Sequence, residues 1–201
     1  STGMSNLNEV IDSVNYVIKN GCPEVVVLHC VSNYPTKNED LNLKAIRTMF
    51  DKLNENNNKR IEIGFSDHTQ GLDASIYSIF VGATYIEKHY TIDKKMEGPD
   101  HRASLNPEEL NIFVKKLREA EIMLGDGVKK FRNSEIENRT IVRRSLAYNT
   151  KLKKGHTLDY NDLITLRPNK GVCGSKLEEF IGKTLKKDMN ENEFLNYKDF
   201  E

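Results

Sequence analysis

The chain has 201 residues and an apolar content of 37%, enough for one large domain or two small ones with a real core. Lys+Arg and Asp+Glu both number 30, and this zero formal net charge excludes the basic excess of a general nucleic-acid or membrane-surface binder. No apolar run approaches the roughly 18 residues of a spanning helix and no signal-peptide pattern is read. Three cysteines (Cys22, Cys30, Cys173) without metal-ligand spacing fit reduced thiols, so a cytoplasmic location is expected.

Residues 6–19 predict an amphipathic helix. Asn6 is placed to cap it with Glu9 three residues on, and Leu7, Val10, Ile11, Val14, Val17 and Ile18 form one stripe. Asn20-Gly21 stops it. "EVVVLHC" (24–30) reads as a strand buried on both faces. A second helix carries Ile46, Met49, Phe50 and Leu53 and ends in the polar run 54–59. Then come the strand "IEIGFS", a small-residue helix around Ala74–Val81 and the strand "TYIEKHY". The fourth helix has Asn106 as cap, Pro107 in its first turn and Glu109 completing the cap, with a stripe of Leu110, Phe113, Val114 and Leu117.

Helix and strand thus alternate at short intervals, which predicts βα units and a parallel sheet, closed as a barrel or doubly wound. No dinucleotide or P-loop fingerprint is present. After "GDGVKKF" (125–131) the rhythm changes. Residues 132–143 read as a polar linker, and 144–201 as a small β-rich domain broken by Lys-Gly, Asp-Tyr-Asn and Pro-Asn turns. No repeat crosses that boundary.

In a parallel barrel the strand C-termini share one rim, where active sites sit. Here the strands end in polar residues: His29; Ser66, Asp67 and His68; Glu87, Lys88 and His89. Imidazoles on adjacent strand ends can share a metal ion and leave positions open for water and substrate. The alternative is structural, with His68 capping the next helix and His89 hydrogen-bonded in the core. His29, inside a valine run, reads as a satisfied buried histidine, and His101 and His156 as solvated. Ser32 and Tyr34 lie in a loop just past a strand end, Asp100 in a Gly-Pro turn, and Arg167 in the "RPNKGV" turn as either a surface charge or a clamp on an anion or sugar.

The motifs "STGM", "LHCVSNYPT", "GFSDHT", "IEKHYT" and "GPDHRASL", in this order, closely resemble the sialic acid synthase family. The tail from "RRSLAYNT" to "RPNKGV" resembles that family's antifreeze-like (SAF) domain. The resemblance implies an α/β fold: the C-terminal part of a (β/α)8 TIM barrel (1–131), a linker (132–143) and a small β-rich SAF domain (144–201). It also implies condensation of phosphoenolpyruvate with an N-acetylated hexosamine, N-acetylmannosamine foremost, giving a nonulosonic acid and phosphate. The legionaminic and pseudaminic products are alternatives. A divalent metal, Mn2+ foremost with Mg2+ or Co2+ as alternatives, is implied on His68 and His89. By the same resemblance Ser1, Ser32 and Ser66 contact phosphoenolpyruvate, Tyr34 and Asp100 hold the sugar, and Glu87 orients a ligand or water. Arg167 reaches the active site of the other subunit in a domain-swapped homodimer. A complete member supplies earlier barrel strands with catalytic residues ahead of Ser1, so the resemblance implies a chain lacking the N-terminal half of the barrel. Two other readings stay open: a metal-dependent aldolase or isomerase, and a non-catalytic fragment that binds sugar or dimerises.

Overall fold

The computed structural model describes residues 1–55 and 61–200, which form two compact units, Ser1–Gly127 and Val128–Glu201. The first unit runs α1 (Leu7–Lys19), β1 (Val25–Cys30), α2 (Lys44–Leu53), β2 (Ile61–Asp67), α3 (Asp73–Phe80), β3 (Tyr85–Lys88) and α4 (Pro107–Leu124). β1, β2 and β3 pair in parallel in that order, so each crossover carries a helix. The expected caps form at both ends of this unit: Asn6 and Glu9 make a reciprocal capping box on α1, and Asn106 and Glu109 on α4. α2 ends at Asn54, whose side chain donates to the Phe50 carbonyl; residues 56–59 of the polar run lie outside the described residues.

Alternation along the strands divides the sheet into two unlike faces. Val27, Ile61, Ile63 and Phe65 point toward the helices and build the core with Val10, Val14, Ile46, Met49, Leu53 and Ala74. The opposite face carries Val26, Leu28, Gly64, Ser66, Tyr85 and Glu87. A side chain at Gly64 would collide with Leu28 and the Tyr85 carbonyl, so glycine lets these neighbours close over that position. The expectation that β1 is buried on both faces fails at Val26, which is 39% exposed. The valine run is complete, yet the helices cover only one of its faces.

In the second unit, the segment read as a linker is helical: a 3-10 turn at Asn133–Glu135 runs into α5 (Ile136–Val142). Beyond it, β4 (Ser145–Tyr148) and β5 (Leu163–Leu166) form a two-stranded antiparallel ladder. The unit is held otherwise by isolated bridges and 3-10 turns, because two sequence stretches of equal length, 152–163 and 189–200, fold alike and clasp one another. Leu152 and Met189 exchange both backbone hydrogen bonds, at 3.1 and 2.9 Å. Gly155 donates to the Leu185 carbonyl as Asn192 donates to that of Tyr148, both at 2.8 Å. Gly155 and Asn192 occupy the same place and both have positive φ, 84° and 63°. Each stretch then makes a capped 3-10 turn, Asp159 with Asp162 and Asn196 with Asp199. Their apolar members Leu158, Leu163, Leu195 and Phe200 meet Leu146, Tyr148 and Phe180 in one core. This repeat lies within the small unit and was not read from the sequence.

Candidate active site

The site lies where β2 and β3 end, because parallel neighbours in register deliver their last residues side by side. Ser66 pairs with Glu87 and Asp67 with Lys88, so His68 and His89 leave the sheet together. Their ring centroids are 5.1 Å apart. The Tyr34 ring lies 4.2 Å from that of His68 and 5.6 Å from that of His89, brought there by the loop after β1. The Thr36 N–H donates to the His68 carbonyl at 3.0 Å, fastening that loop to the β2 exit.

The His68 Nδ1 lies 2.9 Å from the Val31 carbonyl, which can only accept. Nδ1 therefore carries the proton and Nε2 keeps its lone pair, facing the Ser66 hydroxyl at 3.5 Å. The Cys30 thiol sits 3.9 Å from Nδ1. Ser66, which is buried, donates to the Glu87 carboxylate at 2.7 Å. His89 is one-third exposed, with its Nδ1 4.0 Å from the Asp100 carboxylate. The loop 92–104 doubles back because Leu105 donates to the His89 carbonyl at 2.9 Å, and the Thr91 amide donates to that of Leu105 at 2.8 Å. Ser104 donates to the Asp100 carbonyl and the Thr91 hydroxyl meets His101 Nδ1 at 2.8 Å. Asp100 is thereby held on the β3 side of the site.

Lys88 does not join this cluster. It points to the helix face, where its amine lies 3.0 Å from the Asp67 carboxylate with both side chains almost wholly buried. Burial pulls the Lys88 amine below the ordinary lysine range, against the opposing pull of Asp67. The acid, base and imidazole at residues 87–89 thus go to three different places.

Ser1 and Glu87 line one cleft of about 420 Å3 on the open face of the sheet, with Val26, Leu28 and Tyr85. Thr2 fixes that start of the chain by donating its amide and hydroxyl to the Leu28 carbonyl, at 3.0 and 2.9 Å. Gly3 packs so closely on Ser32 that a side chain at Gly3 would overlap the Ser32 hydroxyl. Arg167 belongs to the second unit, exposed, its Nε donating to the Val142 carbonyl at 2.8 Å.

The structural readings of the histidines divide. His68 does not cap α3, whose first turn has no side-chain cap. His29 is satisfied as expected, 2.7 Å from the Leu41 carbonyl and stacked on Phe65. His101 and His156 are not merely solvated: His101 meets Thr91, and His156 lies 2.7 Å from Asp162 in the first turn of the clasp. Cys30 and the Val31 carbonyl were missed by sequence reasoning, although Cys30 stands in register with Ser66 and Glu87 across the three strands.

His68 and His89 suit a divalent ion: one has a fixed tautomer with a free Nε2, and the other is partly open to solvent. Among the described residues no group of three or more His, Cys, Asp or Glu is arranged to hold a metal. No helix among the described residues is long and apolar enough to cross a membrane.

The family model described as the NeuB family matches residues 1–129, and that of the SAF domain matches residues 143–201. Over 197 residues the chain is 40% identical to an N,N'-diacetyllegionaminic acid synthase of Campylobacter jejuni, covering 97% of this chain and 57% of that protein. The chain spans about half the length of the curated relatives it matches. A solved N-acetylneuraminic acid synthetase of Leptospira borgpetersenii superposes with a TM-score of 0.60 at 34% identity, over 68% of this chain and 45% of that one. The spore coat polysaccharide biosynthesis protein E of Chromobacterium violaceum shares the fold with a TM-score of 0.76 at 21% identity, over 99% of this chain and 59% of that one.

Proposed function

The chain belongs to the NeuB family, and on that premise we propose that it is part of a nonulosonic acid synthase, with its first unit forming part of a (β/α)8 barrel. The reaction joins C3 of phosphoenolpyruvate to the aldehyde carbon of an N-acetylated hexose, adds water at C2 and releases phosphate. The observation that carries this reading is the pair of imidazoles at adjacent strand exits, His68 with its Nε2 lone pair free.

His68 and His89 would hold a divalent ion, Mn2+ foremost, which when bound supplies Lewis-acid polarisation of the acceptor aldehyde. Tyr34 and Asp100 flank the imidazoles and receive the sugar, the ring by stacking and the carboxylate by accepting from hydroxyls. Ser1, Ser32 and Ser66 present hydroxyls to phosphoenolpyruvate. Glu87 holds the single Ser66 proton here, so Ser66 serves phosphoenolpyruvate once that hydroxyl turns from the carboxylate to a ligand oxygen. Arg167, always charged, reaches over the active site of the other copy in a domain-swapped homodimer, where it bears on use of the sugar. The expected location remains the cytoplasm.

The relative named for diacetyllegionaminic acid favours a second choice of sugar. Two acetamido groups on the product require two on the acceptor, because phosphoenolpyruvate brings no nitrogen. Phosphate release is therefore to be measured with phosphoenolpyruvate and either N-acetylmannosamine or a diacetamido hexose, in the protein at the full length of its relatives. His68→Ala and His89→Ala should each abolish turnover and release the ion while the fold persists; undiminished release in either refutes the assignment. Mixing Arg167→Ala with His68→Ala subunits should partly restore activity, since one site of a swapped heterodimer carries neither defect. Heterodimers that form and stay inactive would rule out swapping.

A further inference from the structure

Behind the two imidazoles, on the helix face of the sheet, lies a buried polar knot that touches neither ring. Asp67 Oδ1 accepts from the Thr69 amide and the Thr69 hydroxyl, both at 2.7 Å, and Oδ2 accepts from the Ser75 hydroxyl. The Lys88 amine donates to the Thr69 carbonyl at 2.8 Å and faces Asp67 Oδ2 at 3.0 Å. Side-chain exposure is 0% for Asp67 and 3% for Lys88. No described buried side-chain nitrogen or oxygen lacks a partner.

The position of this knot is informative. Ser66–Glu87 and Asp67–Lys88 are the last two register pairs of β2 and β3, and the imidazoles are the next residues on each strand. The first pair is tied on the open face by the Ser66–Glu87 hydrogen bond, the second on the helix face by the ion pair. The two strand exits are thus clamped from both sides immediately before they diverge. Thr69 extends the rear clamp past His68, so that histidine is held on both flanks.

Energetics point the same way. A buried ion pair costs several kcal/mol of desolvation per charge, and replacing one with well-packed apolar residues is often neutral or stabilising. The ion pair itself is therefore a poor source of stability. What the ion pair and its hydrogen bonds supply, and apolar packing does not, is direction.

We infer that Asp67 and Lys88, with Thr69, are positioning residues that set the separation and orientation of the His68 and His89 imidazoles without contacting any ligand. This rests on the reading of those histidines as a metal-holding pair, but its test includes a measurement that needs no metal. Long-range 1H–15N spectra of the imidazoles, recorded on the metal-free full chain, report the tautomer of His68 directly. Co2+ titration followed by its visible absorption reports the pair as ligands.

In Asp67→Leu/Lys88→Met the Thr69 amide and hydroxyl and the Ser75 hydroxyl lose their acceptor, so the melting temperature should fall while the protein stays folded. The Nδ1-protonated His68 should give way to a tautomer mixture, and the Co2+ dissociation constant should rise about tenfold or more, the usual cost of losing supporting groups around a metal site. Lys88→Arg, which keeps charge and donors, should retain the wild-type tautomer. If the double variant does not fold, isosteric Asp67→Asn decides by the same two readings. Imidazole spectra unchanged from wild type in a folded variant overturn the inference, and a lowered melting temperature with unchanged spectra marks the knot as structural and does so too. Wild-type protein that binds no Co2+ would refute the metal reading, leaving the imidazole spectra to decide this one.

Discussion

The two units spend their polar groups in opposite ways. The second clasps two like stretches together, so its backbone donors, capped turns and apolar residues are satisfied by each other. Asp199 is 2% exposed and accepts from Tyr148, the Asn196 amide and Lys187. The first unit packs helices on one face of a three-stranded sheet and leaves Val26, Tyr85 and Glu87 exposed on the other. The candidate site lies in the first unit, at the exits of β2 and β3 beside the Ser66–Glu87 pair, whereas the second unit spends its polar groups on one another. Burial of Tyr148, reinforced by the Asp199 carboxylate, pushes its phenol far above the ordinary range, so it stays protonated and donates to Asp199.

Separating the units is the coarsest way to break this comparison. Val128–Glu201 expressed alone should fold cooperatively, with dispersed amide resonances and a single melting transition. Ser1–Gly127 alone should bind a hydrophobic dye and self-associate, because its sheet offers apolar surface and unpaired strand edges. A poorly dispersed second unit, or a monomeric first unit that ignores the dye, contradicts the contrast.

Core truncations sharpen it. Phe180 is fully buried between Tyr197 and Phe200, and Phe180→Ala should cost the second unit about 3–5 kcal/mol by denaturant unfolding. The affinity for Co2+ proposed for His68 and His89 should survive that change. Phe65→Ala, on the helix face of β2, should do the reverse, and loss of both properties from either substitution would mean the units are not independent.

Asp199→Ala should destabilise the second unit by about 1–2 kcal/mol as a lost cap, and more than Asp162→Ala, because Asp199 also holds the buried Tyr148 hydroxyl whereas the extra partner of Asp162, His156, is partly exposed. Equal costs would show that the two stretches are energetically equivalent as well as alike in shape.

The smallest effect concerns α4. Asn106→Ala should cost about 1 kcal/mol, read as a shift in the first unit's denaturation midpoint. Lys94, then the Asn106 amide, hold the Glu109 carboxyl below the usual glutamate range. Its contribution is accordingly present above the ordinary glutamate pKa and is lost as pH falls through the lowered one. A wild-type chain whose stability shows no step in that acid window argues against the Lys94–Glu109 pairing.

Local signals carried the first unit's elements. The caps at Asn6 and Asn106, the apolar stripes and the valine run act over a few residues, so composition and spacing report them directly. The motifs around His68 and His89 likewise placed the candidate site on strand ends. Sequence periodicity named the small-unit boundary less well: 132–143 mixes charged and polar residues with Ile136, Ile141 and Val142, and α5 there presents no buried side chain that a stripe would betray.

What the sequence by itself determined was therefore the alternation of elements, their caps and the residue types at the strand exits. Only the tertiary structure decided which way those residues face. Register between β2 and β3 sends Glu87 to the open face and Lys88 to a buried carboxylate behind it, and a backbone carbonyl from another loop sets the tautomer of His68. The likeness of 152–163 and 189–200 is present in the sequence, LDYNDL against LNYKDF, but that the two clasp one another by exchanged backbone hydrogen bonds is not. Pairing between segments distant in sequence is fixed by the summed packing of the whole chain, and no local stretch contains that sum.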